Sequence, residues 1–244
     1  MIRSGIYPDD FTCQILVERY ERQGRLISAL NLVVELEKFG VSISWHVYDH
    51  LIASLCEENK PFAAKSLIER NSQSGYVPDE RIYNKLIESL CRSNCAAESL
   101  LLKDELVHRN IKLNHVTYKA LICCLSKISR STEAELLMQE MLQSSMLPDP
   151  EICRALVHGY CKERNVGKAE SVLEFFANEF QIFDNESYNT LVSLFSEDGN
   201  MLQLMELQDR MLEMGFAPNK LTCKYMIHGL WNAMGLEKNK VVVE

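Results

Sequence analysis

Pro8-Asp9, Pro78-Asp79, Pro148-Asp149 and Pro218-Asn219 follow one another along the chain at intervals of 70 residues. Four of the six prolines fall in that series. Independent placement does not produce such an interval, so an internal repeat is the first constraint on the fold. Halving the interval fits a 35-residue ruler from Asp10 without insertion. Six units result, over 10–44, 45–79, 80–114, 115–149, 150–184 and 185–219, and a partial seventh with a tail occupies 220–244. Residues 1–9, MIRSGIYPD, align with MLQSSMLPD at 141–149 and MLEMGFAPN at 211–219. Met1 is therefore expected inside the second helix of a truncated upstream unit, and the chain is expected to be a fragment or shortened form of a longer array.

The positions below are counted from the first residue of each unit. The seventh holds Leu16, Leu51, Leu86, Leu121, Leu156, Leu191 and Met226; the eighth holds Val17, Ile52, Ile87, Ile122, Val157, Val192 and Ile227. With the fourth and eleventh positions these form one helical face, because offsets of three and four stack side chains on a helix. A second apolar stripe follows, with Ala29, Ala64, Ser99, Ala134 and Ala169 at its twentieth position and Leu204 as the exception. Small residues there permit close helix approach. Gly24, Asn59, Asn94 and Gly199 punctuate the two stripes. Gly40, Gly75 and Gly215 stand where a left-handed helix cap is expected. Each unit thus predicts a helical hairpin. Helices this short are marginal alone and require neighbours. The expected fold is all-α: a solenoid of stacked helix-turn-helix hairpins, right-handed by analogy with other hairpin arrays.

Composition narrows the function. The formal charge of −8 disfavours general nucleic-acid binding unless basic residues are segregated. They are segregated: the opening helices of units three to five carry a net positive charge, while those of units two and six are acidic. No apolar run approaches the ~20 residues that span a bilayer, so no membrane insertion is expected. The nine cysteines form no C-x-x-C pair. Cys56, Cys91 and Cys161 recur at the twelfth position and Cys13, Cys153 and Cys223 at the fourth, a recurrence that indicates packing in a reducing compartment. Trp231 replaces small or polar residues of other units, either as a partner-facing anchor or as a lid over the last apolar face.

Catalytic signatures are absent from the sequence. None of the six histidines is followed by x-Glu, which a zinc deaminase needs beside its P-C-x-x-C. There is no Gly-rich phosphate loop. His46 and His50 stand four apart, as a metal pair or, more simply, as surface histidines. The expectation is a protein with no enzymatic activity, cofactor, metal or small-molecule substrate.

Tyr83-Asn84-Lys85-Leu86-Ile87, Tyr188-Asn189-Thr190-Leu191-Val192, Leu90-Cys91-Arg92, Tyr160-Cys161-Lys162 and the closing Pro-Asp or Pro-Asn, all in a 35-residue frame, resemble the pentatricopeptide repeat family, and the uniform spacing resembles its P-type subclass. The resemblance covers residues 1 to about 235. It implies that each unit faces one base of single-stranded RNA. The fifth and closing residues would read the base edge, the second would pack beside the base, and a basic thirteenth residue would meet phosphate. Carried onto this chain, the base-reading candidates are Gln14 with Ser44, Asn84 with Asn114, Lys119 with Asp149, Arg154 with Asp184, and Asn189 with Asn219. The two Asn pairs match a family pairing associated with pyrimidines. Asp49 with Asp79 departs from the pattern, and Lys119–Asp149 and Arg154–Asp184 are candidates for ion pairs that close their sites. The phosphate candidates are Arg22, Arg92, Lys127 and Lys162.

Two functions follow from the resemblance. The first is an RNA-binding adaptor of organellar RNA metabolism (processing, stabilisation, splicing or translation), working through the row of first helices. The second is a protein-interaction scaffold or structural component of an organellar ribonucleoprotein such as the mitochondrial ribosome, with organellar proteins as partners. Mitochondrion or chloroplast is implied by the family alone.

Overall fold

A computed structural model describes residues 8–41, 43–198 and 201–234. The expected upstream fragment lies mostly outside these residues, as do Gly199 and the tail beyond Met234. The described residues form helices joined by short turns. Seven first helices begin 35 residues apart: α1 (Asp10–Arg22), α3 (Trp45–Glu57), α5 (Glu80–Arg92), α7 (His115–Lys127), α9 (Pro150–Lys162), α11 (Asn185–Asp198) and α13 (Lys220–Ala233). Between them run α2 (Leu26–Lys38), α4 (Pro61–Ser72), α6 (Ala96–His108), α8 (Ser131–Gln143), α10 (Val166–Phe180) and α12 (Met201–Glu213). The fold is an all-α helical repeat.

The first helices start where a short acceptor side chain can satisfy an orphan amide. Asp9 accepts from Thr12 N–H at 2.9 Å, Asp79 from Ile82 at 2.9 Å and Asn114 from Thr117 at 2.8 Å. Asp149 accepts from Ile152 at 3.0 Å, Asp184 from Ser187 at 3.0 Å and Asn219 from Thr222 at 3.1 Å. Before Asp9, Asp79, Asp149 and Asn219 a proline also prevents the incoming chain from running helical into this point.

The hairpins turn at two recurrent left-handed residues. One is the fifteenth position: Gly24, Asn59, Asn94, Ser129 and Arg164 all have φ between 56° and 67°. The other is the thirty-first: Gly40, Gly75, Asn110, Ser145 and Gly215, with φ from 57° to 95°. The amide after each left-handed residue bonds back across the helix end, as Val41 N–H does to Leu36 O at 3.1 Å and Lys60 N–H to Leu55 O at 2.8 Å. These are Schellman closures. In the fifth unit α10 runs longer and the left-handed residue moves to Gln181.

The chain divides into two compact bodies, residues 1–121 and 122–244, the division falling inside α7. In the N-terminal body α1 packs on α3 and α3 on α5, each flanked by its own second helix. In the C-terminal body α9, α11 and α13 form the equivalent series. The cores are the stripes read from the sequence. Leu51, Leu86, Leu121, Leu156 and Leu191 are at most 1% exposed, and Ile52, Ile87, Ile122, Val157 and Val192 are fully buried. Each such side chain contributes roughly 1.5–3 kcal/mol. Ala29, Ala64, Ala134 and Ala169 are buried at the helix crossings.

Three expectations need adjustment. On α13 the stripe is open: Ile227 and Trp231 are half-exposed, because among the described residues only α11 and α12 pack against that helix. Trp231 with Ile227 and Cys223 lines an apolar surface and does not close one. The cysteines mostly pack as expected, with Cys56, Cys153 and Cys161 buried, but Cys223 is exposed on the same open helix. Burial pushes the thiols of Cys56, Cys153 and Cys161 up to about 12.

Candidate nucleic-acid interface

The fifth-position and closing side chains do come together, in three different arrangements. Closing residues serve as helix N-caps, and fifth-position residues lie one turn into the helix of the same unit, beside the cap that ends it.

The first arrangement is closed. Asn84 is buried on α5, and its Nδ2 donates to the carbonyls of Glu80 at 2.8 Å and Lys112 at 3.4 Å. Its Oδ1 accepts the N–H of Asn114 at 3.3 Å. Both ends of the amide are thereby engaged within the protein.

The second is an ion pair. The guanidinium of Arg154 donates to both carboxylate oxygens of Asp184, at 2.8 and 3.3 Å, and reaches Glu186 at 3.1 Å. Burial alone would raise the Asp184 carboxyl. Arg154 and two bonds from Ser187 outweigh burial and hold it below the usual carboxylate range.

The third is open on one side. Asn189 is buried on α11, and its Oδ1 accepts the hydroxyl proton of Thr222 at 2.7 Å. That hydroxyl in turn accepts the N–H of Asn219 at 3.1 Å, inside a capping box. The relay fixes the Asn189 amide with its oxygen inward and leaves its two Nδ2 donors for the groove that it lines. Thr222 was not legible as a positioning residue, although a Thr three residues after an Asn cap is a capping-box signal.

The remaining candidates occupy simpler settings. Gln14 is exposed on α1 and donates to Glu18 at 3.0 Å, and Ser44 is the half-buried N-cap of α3. Lys119 is half-buried on α7, and Asp149 caps α9. Asp49 accepts a hydrogen bond from the Tyr76 hydroxyl at 2.5 Å, which together with burial raises the phenol well above its usual range. His50 pairs with Glu21 at 2.9 Å. Among the described residues no group of three or more His, Cys, Asp or Glu side chains could hold a metal ion.

The basic thirteenth position has a structural task that the sequence did not reveal. Arg92 donates to the carbonyl of Cys56 at 2.7 Å, Lys162 to that of Lys127 at 2.7 Å, and Asn232 to that of Ser196 at 2.9 Å. Each side chain closes the C-terminal end of the preceding first helix, where unpaired carbonyls favour a donor. The ammonium of Lys162 has three protons, so two remain after this bond. Lys127 is exposed, and Arg22 is exposed 3.8 Å from Glu18.

Two grooves run between first helices. In the N-terminal body a groove of about 370 Å³ is lined by Glu18, Asp49 and Asp79 with Arg81, Lys85 and Gln14 among others. In the C-terminal body a groove of about 620 Å³ is walled by α9, α11 and α13. It collects Asn189, Lys162, His158, Leu221 and Tyr225, with Glu186 and Glu197. A cation, an amide and an aromatic ring line this one cleft, a set that suits a nucleotide, whereas the described residues that line the N-terminal groove include no Tyr, Phe or Trp.

Family models agree with this geometry. The one described as PPR repeat family matches residues 78–127, and the one described as PPR repeat matches 116–146, 151–175 and 186–216. The chain belongs to the pentatricopeptide repeat family. It is 50% identical over 200 residues to pentatricopeptide repeat-containing protein At5g40400 of Arabidopsis thaliana, covering 81% of this chain and 33% of that protein. This pentatricopeptide chain thus spans about a third of the length of that curated relative.

Solved structures share the fold. The crystal structure of maize PPR10 matches with a TM-score of 0.61 at 17% identity, over 94% of this chain and 38% of that one. PPR10 in complex with an 18-nt psaJ RNA element matches at 0.60 and 21% identity, over 96% and 34%. The PPR domain of Arabidopsis thaliana protein-only RNase P 1 in complex with tRNA matches at 0.60 and 13% identity, over 75% of this chain and 98% of that one.

Proposed function

We propose that this pentatricopeptide chain is the RNA-binding part of an adaptor in organellar RNA metabolism, holding single-stranded RNA along its first helices. The observation that carries the reading is the groove of α9, α11 and α13, where the free amide donors of Asn189 and the ammonium of Lys162 share one cleft. Two of the structures it resembles contain RNA, an 18-nt element and a tRNA respectively. The segment acts by occupancy and carries no chemistry of its own. Mitochondrion or chloroplast is the proposed compartment, and the six-unit P-type organisation from 10 to 219 the proposed architecture.

The base-reading units are proposed to be unequal. Asn189 remains a reader through its Nδ2 donors, while Asn219 is held as the cap of α13. Asn84 with Asn114 and Arg154 with Asp184 are committed to protein partners and would have to exchange those bonds for a base. A second reading, a protein-interaction scaffold, is favoured by Asp49 and Asp79, two carboxylates at the fifth and closing positions of the second unit where a base edge would sit.

Filter binding against single-stranded RNA at several salt concentrations tests the proposal. Lys127→Glu with Lys162→Glu is expected to abolish binding or to flatten its salt dependence by about two counterions. Unchanged affinity and slope would favour the scaffold.

A further inference from the structure

Tyr225 is half-buried on α13 and lines the same groove as Asn189 and Lys162. It lies one turn beyond Leu221, which is 42% exposed in that groove, so the two side chains share a helix face. The phenol makes no hydrogen bond to protein among the described residues. On the neighbouring wall Asn189 is held with its donors toward the cleft by Thr222. At the α9 edge Lys162 is tethered by one proton to Lys127 O. Glu186 and Glu197 also line the groove.

The equivalent sixth position of the earlier units holds Ile15, His50, Lys85, Ala120, Ala155 and Thr190. None offers a phenyl face, and the one ring among them, His50, is tied to Glu21. An aromatic at this point is therefore a local feature of α13 and not part of the repeat's packing pattern.

We infer that Tyr225 is a nucleobase-stacking residue: with Leu221 it forms a platform for one base of single-stranded RNA, the base edge meeting Asn189 and the adjoining phosphate meeting Lys162. Every base has a π-face, so stacking supplies affinity without selecting sequence, and the Asn189 donors select an acceptor on the base edge. This inference rests on the RNA-binding reading above and adds to it a side chain outside the fifth, closing and thirteenth positions.

The test compares the chain and its Tyr225→Ala, Tyr225→Phe and Lys162→Ala variants in equilibrium binding. The two probes are a fluorescently labelled oligouridylate and an abasic sugar-phosphate oligomer of the same length. Tyr225→Ala is expected to weaken oligouridylate binding by roughly tenfold or more and leave the abasic oligomer unaffected. Tyr225→Phe keeps the ring and the affinity, and Lys162→Ala weakens both probes. Should Tyr225→Ala melt α13, seen as loss of helical circular dichroism, Tyr225→Leu keeps the apolar bulk without the ring and is expected to show the same selective loss. Equal weakening of both probes, or none, by the ring-removing variant that folds would overturn the stacking role while leaving RNA binding intact. Failure of the unsubstituted chain to bind either probe would overturn both.

Discussion

The guanidinium of Arg92 on α5 donates to the carbonyl oxygen of Cys56 on α3 at 2.7 Å, joining one first helix to the end of the one before it. A side chain proposed for phosphate is thus also a tie between neighbouring hairpins. Arg92→Ala is expected to lower stability by about 1 kcal/mol, since a donor near a helix C-terminus is worth roughly that. Urea denaturation of the free protein measures this. A side chain serving phosphate alone would leave the midpoint unchanged.

At Gly159 the helix α9 lies close to Ser126 of α7 and Ser131 of α8. A Cβ built there would stand 2.4 Å from Ser131 Oγ, 3.0 Å from Ser126 Cβ and 3.2 Å from Ser126 Cα. The hydroxyl can rotate away, but the α7 backbone cannot. Gly159→Ala is expected to cost about 1–3 kcal/mol by overpacking. Gly167, at the start of α10, has nothing within 4 Å of its built Cβ, and Gly167→Ala is expected to stabilise by up to about 1 kcal/mol. Thermal melts that moved in the same direction for both would contradict this account.

Asp184 should contribute to acid sensitivity, as should Asp9 and Asp79, whose carboxyls are also held below their ordinary value. The carboxyl of Asp184 sits below its ordinary value in the folded state. Its contribution is therefore complete above the unfolded-state value near 4 and is lost as pH falls through the lower folded value. Asp184→Asn is expected to cost about 1–3 kcal/mol at pH 7, less than a fully buried pair because Arg154 is 43% exposed. As pH falls below that folded-state value, the difference between the variant and the parent should shrink. Denaturant midpoints for both proteins across that range provide the check.

Thiol chemistry should distinguish α13 from the core. Cys223 is exposed, whereas the thiols of Cys56, Cys153 and Cys161 are held up at about 12 by burial. Since the thiolate is the nucleophile, a neutral-pH disulfide reagent is expected to modify Cys223 in the native protein and the other three only after denaturation. Rapid native modification of Cys56, Cys153 or Cys161, located by peptide mapping, would contradict the burial.

The helical hairpins were legible because their signals repeat. The apolar stripes at Leu51/Ile52, Leu86/Ile87 and Leu156/Val157 became the cores, and Gly40, Gly75 and Gly215 took left-handed backbone as expected. Asn110, Ser145 and Gln181 adopt the same backbone with less favourable residues, because the flanking hairpin fixes the turn whatever side chain stands there. The site was less legible. Composition and spacing placed Asn84 and Asn189 equivalently, but their amides differ in what they bond: the Thr117 hydroxyl turns to Glu88 and leaves Asn84 to the Asn114 N–H, whereas the Thr222 hydroxyl donates to Asn189. Tyr225 carried a weak signal, one aromatic at a position otherwise aliphatic or polar.

The closing residues that start each following helix have a consequence for how such a chain can change. Ser, Thr, Asp, Asn and Gly are the residues that start a helix well there. A mutation that retargets the closing position toward another ligand must therefore draw on that short alphabet or weaken the helix that follows, and diversity is easier to acquire at sites, like that of Tyr225, that hold no structural post.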